Sequence, residues 1–134
     1  MIKIQKQDFD LDNEITLIKS KHKNVGAVST FIGYVRDINN NKKVTSIDLE
    51  VYPEMAEKTL TTICNQAKKK WKLVDTLVIH RFGKLSINEK IVLVATFSIN
   101  RQDSIAACNY IMDYLKKDAP FWKKEFYNKN YRWL

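Results

Sequence analysis

Hydrophobic and polar positions along the chain follow two periods, which predict strands interleaved with three helices. Alternating apolar positions and many β-branched or aromatic residues predict strands, whereas apolar positions three or four apart predict amphipathic helices. The predicted strands cover residues 2–4, 25–35, 44–52, 73–82 and 90–99. The predicted helices run from Asp10 or Asp12 to about Lys21, from Pro53 to about Trp71, and from about Gln102 to Lys117.

The segments between these elements complete a predicted α+β domain with one mixed or mostly antiparallel sheet. The nearly continuous apolar run IVLVATF is typical of a central strand covered on both faces. Residues 37–43 are polar and predict a loop, and residues 83–89 predict a connection between two strands. Gly26 and Gly33 indicate a bulge or close backbone approach. The final YRWL predicts an edge strand, and residues 1–134 are interpreted as one domain.

Residues 109–125 contain the strongest candidate for chemistry, because a proline interrupts a helix with lysines on both sides. Pro120 disfavours helical geometry before it and can start a new helical turn, which Phe121 and Trp122 would anchor. On an unbroken helix Lys116 and Lys123 would share a face roughly 10 Å apart. A bend would turn both amines into one pocket. The alternative is a solvated, lysine-rich helix end that suits the helix dipole.

The charge of the chain indicates an anionic partner. The formal net charge is +8, and only four of the 23 basic residues are arginines. Arg36, Arg81, Arg101 and Arg132 are therefore candidates for bidentate phosphate binding, with aromatic packing or a structural ion pair as the alternative. Arg101 also begins a predicted helix, where free amides favour anions. Two function classes fit: an enzyme with a phosphorylated substrate, and a basic nucleic-acid-binding module.

Several other classes of site are not indicated by the sequence. The N-terminus has no signal-peptide pattern and no run is long enough to span a bilayer, so a cytosolic protein is expected. Cys64 and Cys108 are expected to be buried thiols, and neither they nor His22 and His80 have the spacing of metal ligands. No metal is expected. Glycine-rich phosphate loops and hydrolase motifs are also missing from the sequence.

Several blocks of the chain form a specific pattern. The most specific block is IMDYLKKDAPFWKKE, followed near the end by RW. The other blocks are GAVSTFIGYVR, LEVYPEMAEKTL, the helix ending at Trp71, and VIHRFGKL. In this order, and over nearly the whole chain, the blocks resemble the family of large, catalytic subunits of molybdopterin synthase.

The resemblance implies an α/β hammerhead-type fold with an added antiparallel subdomain. It implies a sulfurtransferase that moves sulfur from the C-terminal thiocarboxylate of a small ubiquitin-like carrier subunit, ending in Gly-Gly, to cyclic pyranopterin monophosphate. The product is the dithiolene of molybdopterin, in molybdenum cofactor biosynthesis. The implied assembly is a heterotetramer built on a homodimer of large subunits, without a cofactor, membrane or nucleic acid. The alternatives are a basic nucleic-acid-binding module and a non-catalytic scaffold for a ubiquitin-like partner.

The resemblance also implies roles for particular residues. Lys116 and Lys123 match the two lysines of the family's reaction centre. Both are therefore predicted to be catalytic and to contact the substrate. The other residues implied to contact substrate are Tyr34, Val35, Arg36, Asn100, Arg101, Lys124 and Glu125.

Two positions in these blocks are interpreted differently. Asn100 stands where the family commonly has histidine, and asparagine cannot shuttle protons near neutral pH, although it can donate a hydrogen bond. His80 and Arg81 lie in a family block but are interpreted as structural.

Overall fold

The computed structural model describes residues 1–39, 41–117, 119–127 and 130–134. Within these ranges the chain forms three helices and ten strands. The helices are α1 (Leu11–Lys19), α2 (Pro53–Trp71) and α3 (Arg101–Lys117). The strands are β1 (Ile2–Gln5), β2 (Ala27–Tyr34), β3 (Ile38–Asn39), β4 (Lys42–Lys43), β5 (Ser46–Val51), β6 (Asp75–Arg81), β7 (Gly83–Ser86), β8 (Lys90–Ser98), β9 (Phe121–Tyr127) and β10 (Asn130–Trp133).

The first sheet has the strand order β1-β6-β8-β2, with β1 parallel to β6 and the other pairs antiparallel. Helices α2 and α3 cover one face, where Val92 and Val94 of β8 meet Leu60 and Ile111. Helix α1 covers the other face, where Phe97 is fully buried. The prediction that IVLVATF is a central strand covered on both faces is confirmed.

The second sheet has the order β10-β9-β5-β7 and is antiparallel throughout. Its inner face carries a separate small core that includes Ile47, Leu49 and Leu85. This sheet is the added antiparallel subdomain, so the predicted α+β, hammerhead-type class is confirmed. The prediction of a single sheet is wrong, because β5, β7, β9 and β10 form a sheet of their own. Strand β7 lies inside the segment that was expected to be a connection. Residues 37–43 likewise contain a short ribbon of β3 and β4.

The segment after Pro120 is a strand, so the prediction of a second helical turn is wrong. Strand β9 pairs with β5 on one side and with β10 on the other. Backbone pairing with two strands outweighs the local tendency of proline to open a helix. The alternation of a strand then sends Lys123 and Glu125 to one face and Trp122 and Lys124 to the other. The predicted edge strand in YRWL is confirmed as β10.

Strand β2 is the last strand of the first sheet, and no described strand pairs with its other edge. Its register with β8 shifts between Gly33 and Tyr34, which confirms the predicted irregularity. A Cβ at Gly26 would lie 2.2 Å from the Ile99 carbonyl oxygen, so only glycine fits that approach. This edge strand leads directly into the candidate site. No helix among the described residues is both long and apolar enough to cross a membrane.

Candidate active site

Helix α3 places two of the candidate residues at its opposite ends. Arg101 is its first residue and Lys116 is in its last turn. Fifteen residues at 1.5 Å each separate the two positions by about 22 Å along the helix axis. Backbone positions this far apart favour contact between a small substrate and only one of the two residues of one chain.

Lys116 lies in a groove of about 530 Å³ between α3 and β2. The apolar wall includes Phe31, Ile105 and Met112, and the first two are exposed by 42% and 60%. The remaining lining residues are Ser29, Thr30, Cys108, Asn109 and Asp113. The groove is therefore a large, mostly apolar site with one ammonium and one carboxylate among its lining groups.

Cys108 brings a sulfur atom to this groove, but the sulfur is not poised for reaction. Burial raises its pKa to about 11, so the group stays a protonated thiol near neutral pH. The thiolate is the nucleophilic form of cysteine. The structure thus agrees with the prediction that Cys108 is a buried free thiol, as is Cys64.

A second, small cavity of about 30 Å³ gathers most of the other candidates at the end of β2. Its polar lining consists of Tyr34, Arg36, Asn39, Lys123 and Glu125. Val35, Ile47 and Ile91 complete the lining. Strand β2 connects this cavity to the groove, since Phe31 and Tyr34 are about 10 Å apart along an extended strand. Lys116 and Lys123 therefore line neighbouring cavities, and the structure does not place both in one pocket.

Glu125 is the most buried polar group of the small cavity, and its carboxylate is already engaged. It is 3% exposed, and it accepts hydrogen bonds from Asn39 Nδ2 at 2.8 Å and Arg132 Nε at 3.0 Å. Arg132 also donates from Nη2 to the Asn39 carbonyl at 3.1 Å. Asn39 Oδ1 in turn lies 3.5 Å from Arg36 Nη2. Glu125 thus neutralises Arg132 and helps to place Arg36, which is itself exposed.

This network predicts a measurable coupling between Glu125 and Arg132. Arg132→Gln should destabilise the fold by about 2 kcal/mol, because it leaves a buried carboxylate with only the Asn39 amide as donor. Adding Glu125→Gln removes the stranded charge, so the double variant should regain about 1 kcal/mol or more. Urea unfolding of the three proteins measures both effects. A double variant less stable than Arg132→Gln would contradict the charge argument.

Lys124 lies on the opposite face of β9 and enters neither cavity. Its ammonium lies over the rings of Tyr131 and Trp133, 4.7 Å and 4.4 Å from their centroids. These contacts hold the lysine on the outer face of the second sheet. The structure therefore separates Lys124 from Lys123 and Glu125, with which the sequence grouped it.

Asn100 caps the first turn of α3. Its Oδ1 accepts from the Asp103 amide at 2.9 Å, and its Nδ2 donates to Asp103 Oδ2 at 3.2 Å. Such a cap satisfies an otherwise free amide and places a carboxylate at the positive end of the helix. Asn100 thereby fixes the start of α3 and the position of Arg101 beside it.

His80 and Arg81 have the contacts of structural residues. The buried His80 ring stacks on Phe121, with centroids 3.6 Å apart, and its Nδ1 lies 2.9 Å from the Arg81 carbonyl. The buried Arg81 donates to the carbonyls of Lys6 and Lys90 at 3.1 Å and 2.9 Å. The stack fixes the first residue of β9, two positions before Lys123.

Several residues in or beside these two cavities were not singled out from the sequence for the roles that the structure gives them. Phe31 and Met112 line the groove, while Asn39 and Arg132 hold the network around Glu125. Arg132 carried a weak signal as one of only four arginines. Phe31 and Met112 have the pattern of ordinary core residues, and Asn39 lies among similar asparagines in a polar segment. Only the fold distinguishes them.

A family model described as MoaE protein matches residues 4–118 of the chain. The chain is 50% identical over 133 residues to a "Molybdopterin synthase catalytic subunit" of Ralstonia nicotianae, covering 99% of this chain and 76% of that relative.

Two solved structures are similar to the fold. A molybdopterin biosynthesis MoaE protein from Burkholderia ambifaria is 41% identical with a TM-score of 0.87, covering 100% of this chain and 88% of that one. A molybdopterin synthase from Staphylococcus aureus is 30% identical with a TM-score of 0.91, covering 98% and 95%. Sequence and structure therefore agree that this chain belongs to the MoaE protein family.

Proposed function

We propose that this chain is the catalytic subunit of a molybdopterin synthase. It transfers sulfur from the C-terminal thiocarboxylate of a small ubiquitin-like carrier to cyclic pyranopterin monophosphate and so forms the dithiolene of molybdopterin. The proposal depends on how basic side chains are arranged along β2 in a chain that belongs to this family. Arg36 and Lys123 share a cavity at the strand end, and Lys116 lines the groove beside the same strand.

The cations around β2 have distinct proposed roles. Arg36 and Arg101 bind the anionic pterin, since guanidinium groups match phosphate oxygens in pairs. Lys123 lies near the incoming thiocarboxylate and balances its charge while sulfur attacks the substrate. Lys116 acts as a proton donor and acceptor or as a transient covalent partner of the substrate. Tyr34 and Val35 shape the cavity that holds Arg36.

Ammonium and guanidinium groups supply the charge and the proton in this scheme, so we propose no resident cofactor. The proposed assembly is a heterotetramer of two copies of this chain and two carriers, each carrier inserting a Gly-Gly tail. The cytosolic location stays a prediction.

A homodimer explains how Arg101 and Lys116 serve one substrate. Ser29 Oγ of β2 lies 2.8 Å from Ser104 Oγ of α3. One helical turn later, Cys108 Sγ contacts the carbonyl of Val94, which pairs with Phe31 of β2. Helix α3 and strand β2 therefore run in the same direction. A two-fold axis perpendicular to β2 at its free edge would reverse the direction of the second copy's α3. Its Arg101 would then lie at the Lys116 end of this chain. We therefore propose that each site takes Lys116 from one copy and Arg101 from the other.

Mixing two inactive variants tests this shared site. Arg101→Ala and Lys116→Ala proteins should each be inactive, whereas refolding or co-expressing them together should restore about a quarter of wild-type activity. Half of randomly formed dimers are mixed, and each mixed dimer has one complete site. No recovery in verified mixed dimers would mean that both residues act within one chain.

The function itself is tested by combining the purified protein with thiocarboxylated carrier and cyclic pyranopterin monophosphate. Molybdopterin should form in amounts that depend on the thiocarboxylate. Stable carrier binding without turnover would instead identify a scaffold. Tight, salt-sensitive RNA or DNA binding without turnover would identify a nucleic-acid module.

A further inference from the structure

The turn between β7 and β8 joins the two sheets beside the small cavity. Strand β7 belongs to the second sheet and β8 to the first, so the chain crosses from one sheet to the other within residues 86–89. The cavity likewise takes Arg36 from just beyond the end of β2 in the first sheet, and Lys123 from β9 in the second. The crossing is therefore one of the places that set the position of these two cations relative to each other. We call residues 86–89 the crossing turn.

The crossing turn holds the residue that precedes Arg36. The Val35 amide donates to the Glu89 carbonyl at 3.0 Å, and the Val35 carbonyl accepts from the Asn88 amide at 2.9 Å. The Val35 side chain is buried in the small core of the second sheet, with Leu85. Both backbone polar groups of Val35 are thus paired and its side chain is packed. These contacts fix the point from which Arg36 extends into the cavity.

The conformation of the crossing turn depends on two of its side chains. The Glu89 amide donates to the Ser86 carbonyl at 3.1 Å, which closes a four-residue turn. Asn88 has a φ of 71°, in the left-handed region that asparagine and glycine adopt more readily than other residues. Glu89 Oε2 accepts from the Ser86 amide at 2.5 Å. The Glu89 carboxylate therefore stabilises the same turn whose backbone holds Val35.

Glu89 also ties the crossing turn to a buried group of the first sheet. Its Oε1 lies 3.5 Å from Nη2 of Arg81, whose side chain is 7% exposed at the end of β6. Arg81 is itself held by the carbonyls of Lys6 and Lys90. Because a guanidinium presents its donors in a rigid planar fork, an arginine fixed in this way gives the carboxylate a defined partner. Glu89 thus connects the turn to an anchor in the neighbouring strand.

We propose that Glu89 is a positioning residue for pterin binding, which acts on Arg36 through the crossing turn and Val35. This inference rests on the proposed function, in which Arg36 binds the anionic pterin. Glu89 lines neither of the two cavities described above, so its influence on the reaction is indirect. Without its carboxylate, the turn holds Val35 less firmly, and Arg36 occupies its binding position for a smaller fraction of the time. The apparent affinity for the pterin falls by that fraction.

Glu89→Ala tests the proposal in the full-length protein with saturating thiocarboxylated carrier. The KM for cyclic pyranopterin monophosphate should rise about tenfold, as expected if Arg36 is in position about one tenth of the time. The kcat should stay within about twofold of the wild-type value, because saturating pterin restores the occupied site. Asp8→Asn is the matched control, since Asp8 lies 3.9 Å from Nη1 of the same Arg81 but outside the turn. It should leave both constants near their wild-type values.

A double variant distinguishes positioning from a general loss of stability. In single turnover with excess enzyme, Glu89→Ala should lower the kcat/KM of the wild type about tenfold. It should lower the kcat/KM of an Arg36→Ala protein by less than about twofold, because the group that Glu89 positions is already missing. Urea unfolding establishes that every variant is folded.

Substitutions at Asn88 act on the same turn while leaving the Glu89 side chain in place. Valine is strained at a positive φ, whereas glycine adopts it freely. Asn88→Val should therefore raise the KM for the pterin as Glu89→Ala does, and Asn88→Gly should leave it near the wild-type value.

A wild-type KM in folded Glu89→Ala protein would overturn the proposal while the wild type still makes molybdopterin. Lower stability with an unchanged KM would do so by leaving Glu89 a structural role alone. Equal tenfold losses of kcat/KM with and without Arg36 would show that Glu89 acts independently of that arginine, which also contradicts the proposal. A wild type that makes no molybdopterin would instead overturn the proposed function together with this inference.

Discussion

Replacing Lys116 with alanine should lower the rate of molybdopterin formation by about 10²–10⁴-fold. Among the described residues that line the α3–β2 groove, Lys116 is the only lysine. The proposed reaction needs a proton donor or a covalent partner there. Lys116 is exposed and has no described ion pair, so its loss should leave stability and carrier affinity nearly unchanged. Single-turnover kinetics with thiocarboxylated carrier and the pterin precursor measures the effect.

Lys117 provides a matched control, because it is the next residue of α3 and is also exposed but lines neither cavity. Lys117→Ala should react at nearly the wild-type rate. A Lys116→Ala protein with normal turnover would show that the site is assigned to the wrong lysine. A protein that loses carrier binding together with turnover would show that Lys116 contributes to docking.

Lowering the pH from 7 to 4 should reduce the free energy of unfolding by about 3 kcal/mol through His80 alone. Burial lowers the pKa of His80 from 6.5 to about 4, while its hydrogen bond with the Arg81 carbonyl raises the pKa by a smaller amount. The unfolded chain therefore binds a proton at this histidine below pH 6.5, and the folded chain does so only near pH 4. Between these values a falling pH favours unfolding.

Urea unfolding at several pH values between 7 and 4 measures this effect. His80→Gln should make the free energy of unfolding less dependent on pH, because glutamine does not titrate. Over this window the number of protons taken up on unfolding should fall by about one. The variant should also be less stable at pH 7, since it loses the stack on Phe121. Burial raises the pKa of Asp75, but hydrogen bonds from His22 and Thr76 outweigh this effect and lower the pKa. Asp75 therefore contributes its own loss of stability only near and below pH 3.8. An unchanged pH dependence in His80→Gln would contradict the argument.

The helices and the central strands were readable from the sequence because their signals are local. The apolar stripe of α2, with Pro53 at its start, predicts the helix with the bounds that the structure shows. The run around Val92 and Val94 predicts a strand covered on both faces because both alternating sets of side chains are apolar. The family resemblance was equally available, since it depends on residue order alone.

The conformation after Pro120 was decided only by tertiary structure. Locally, proline followed by an aromatic pair suits a helical turn as well as a strand. Pairing with β5 and β10 selected the strand, and its alternation separated Lys123 from Lys124. The same pairing brought Arg132 to Glu125, seven residues away, and closed the network that reaches Arg36.

The sequence by itself determined the family, the three helices, the main strands and the identity of the candidate cations. Only the tertiary structure decided which cations share a cavity, and it placed Arg101 and Lys116 at opposite ends of one helix. The physical reason is that helix and strand formation depend on neighbouring residues and their periodicity. A site is made where segments distant in the chain pack together, and that packing follows from backbone pairing and burial over the whole molecule.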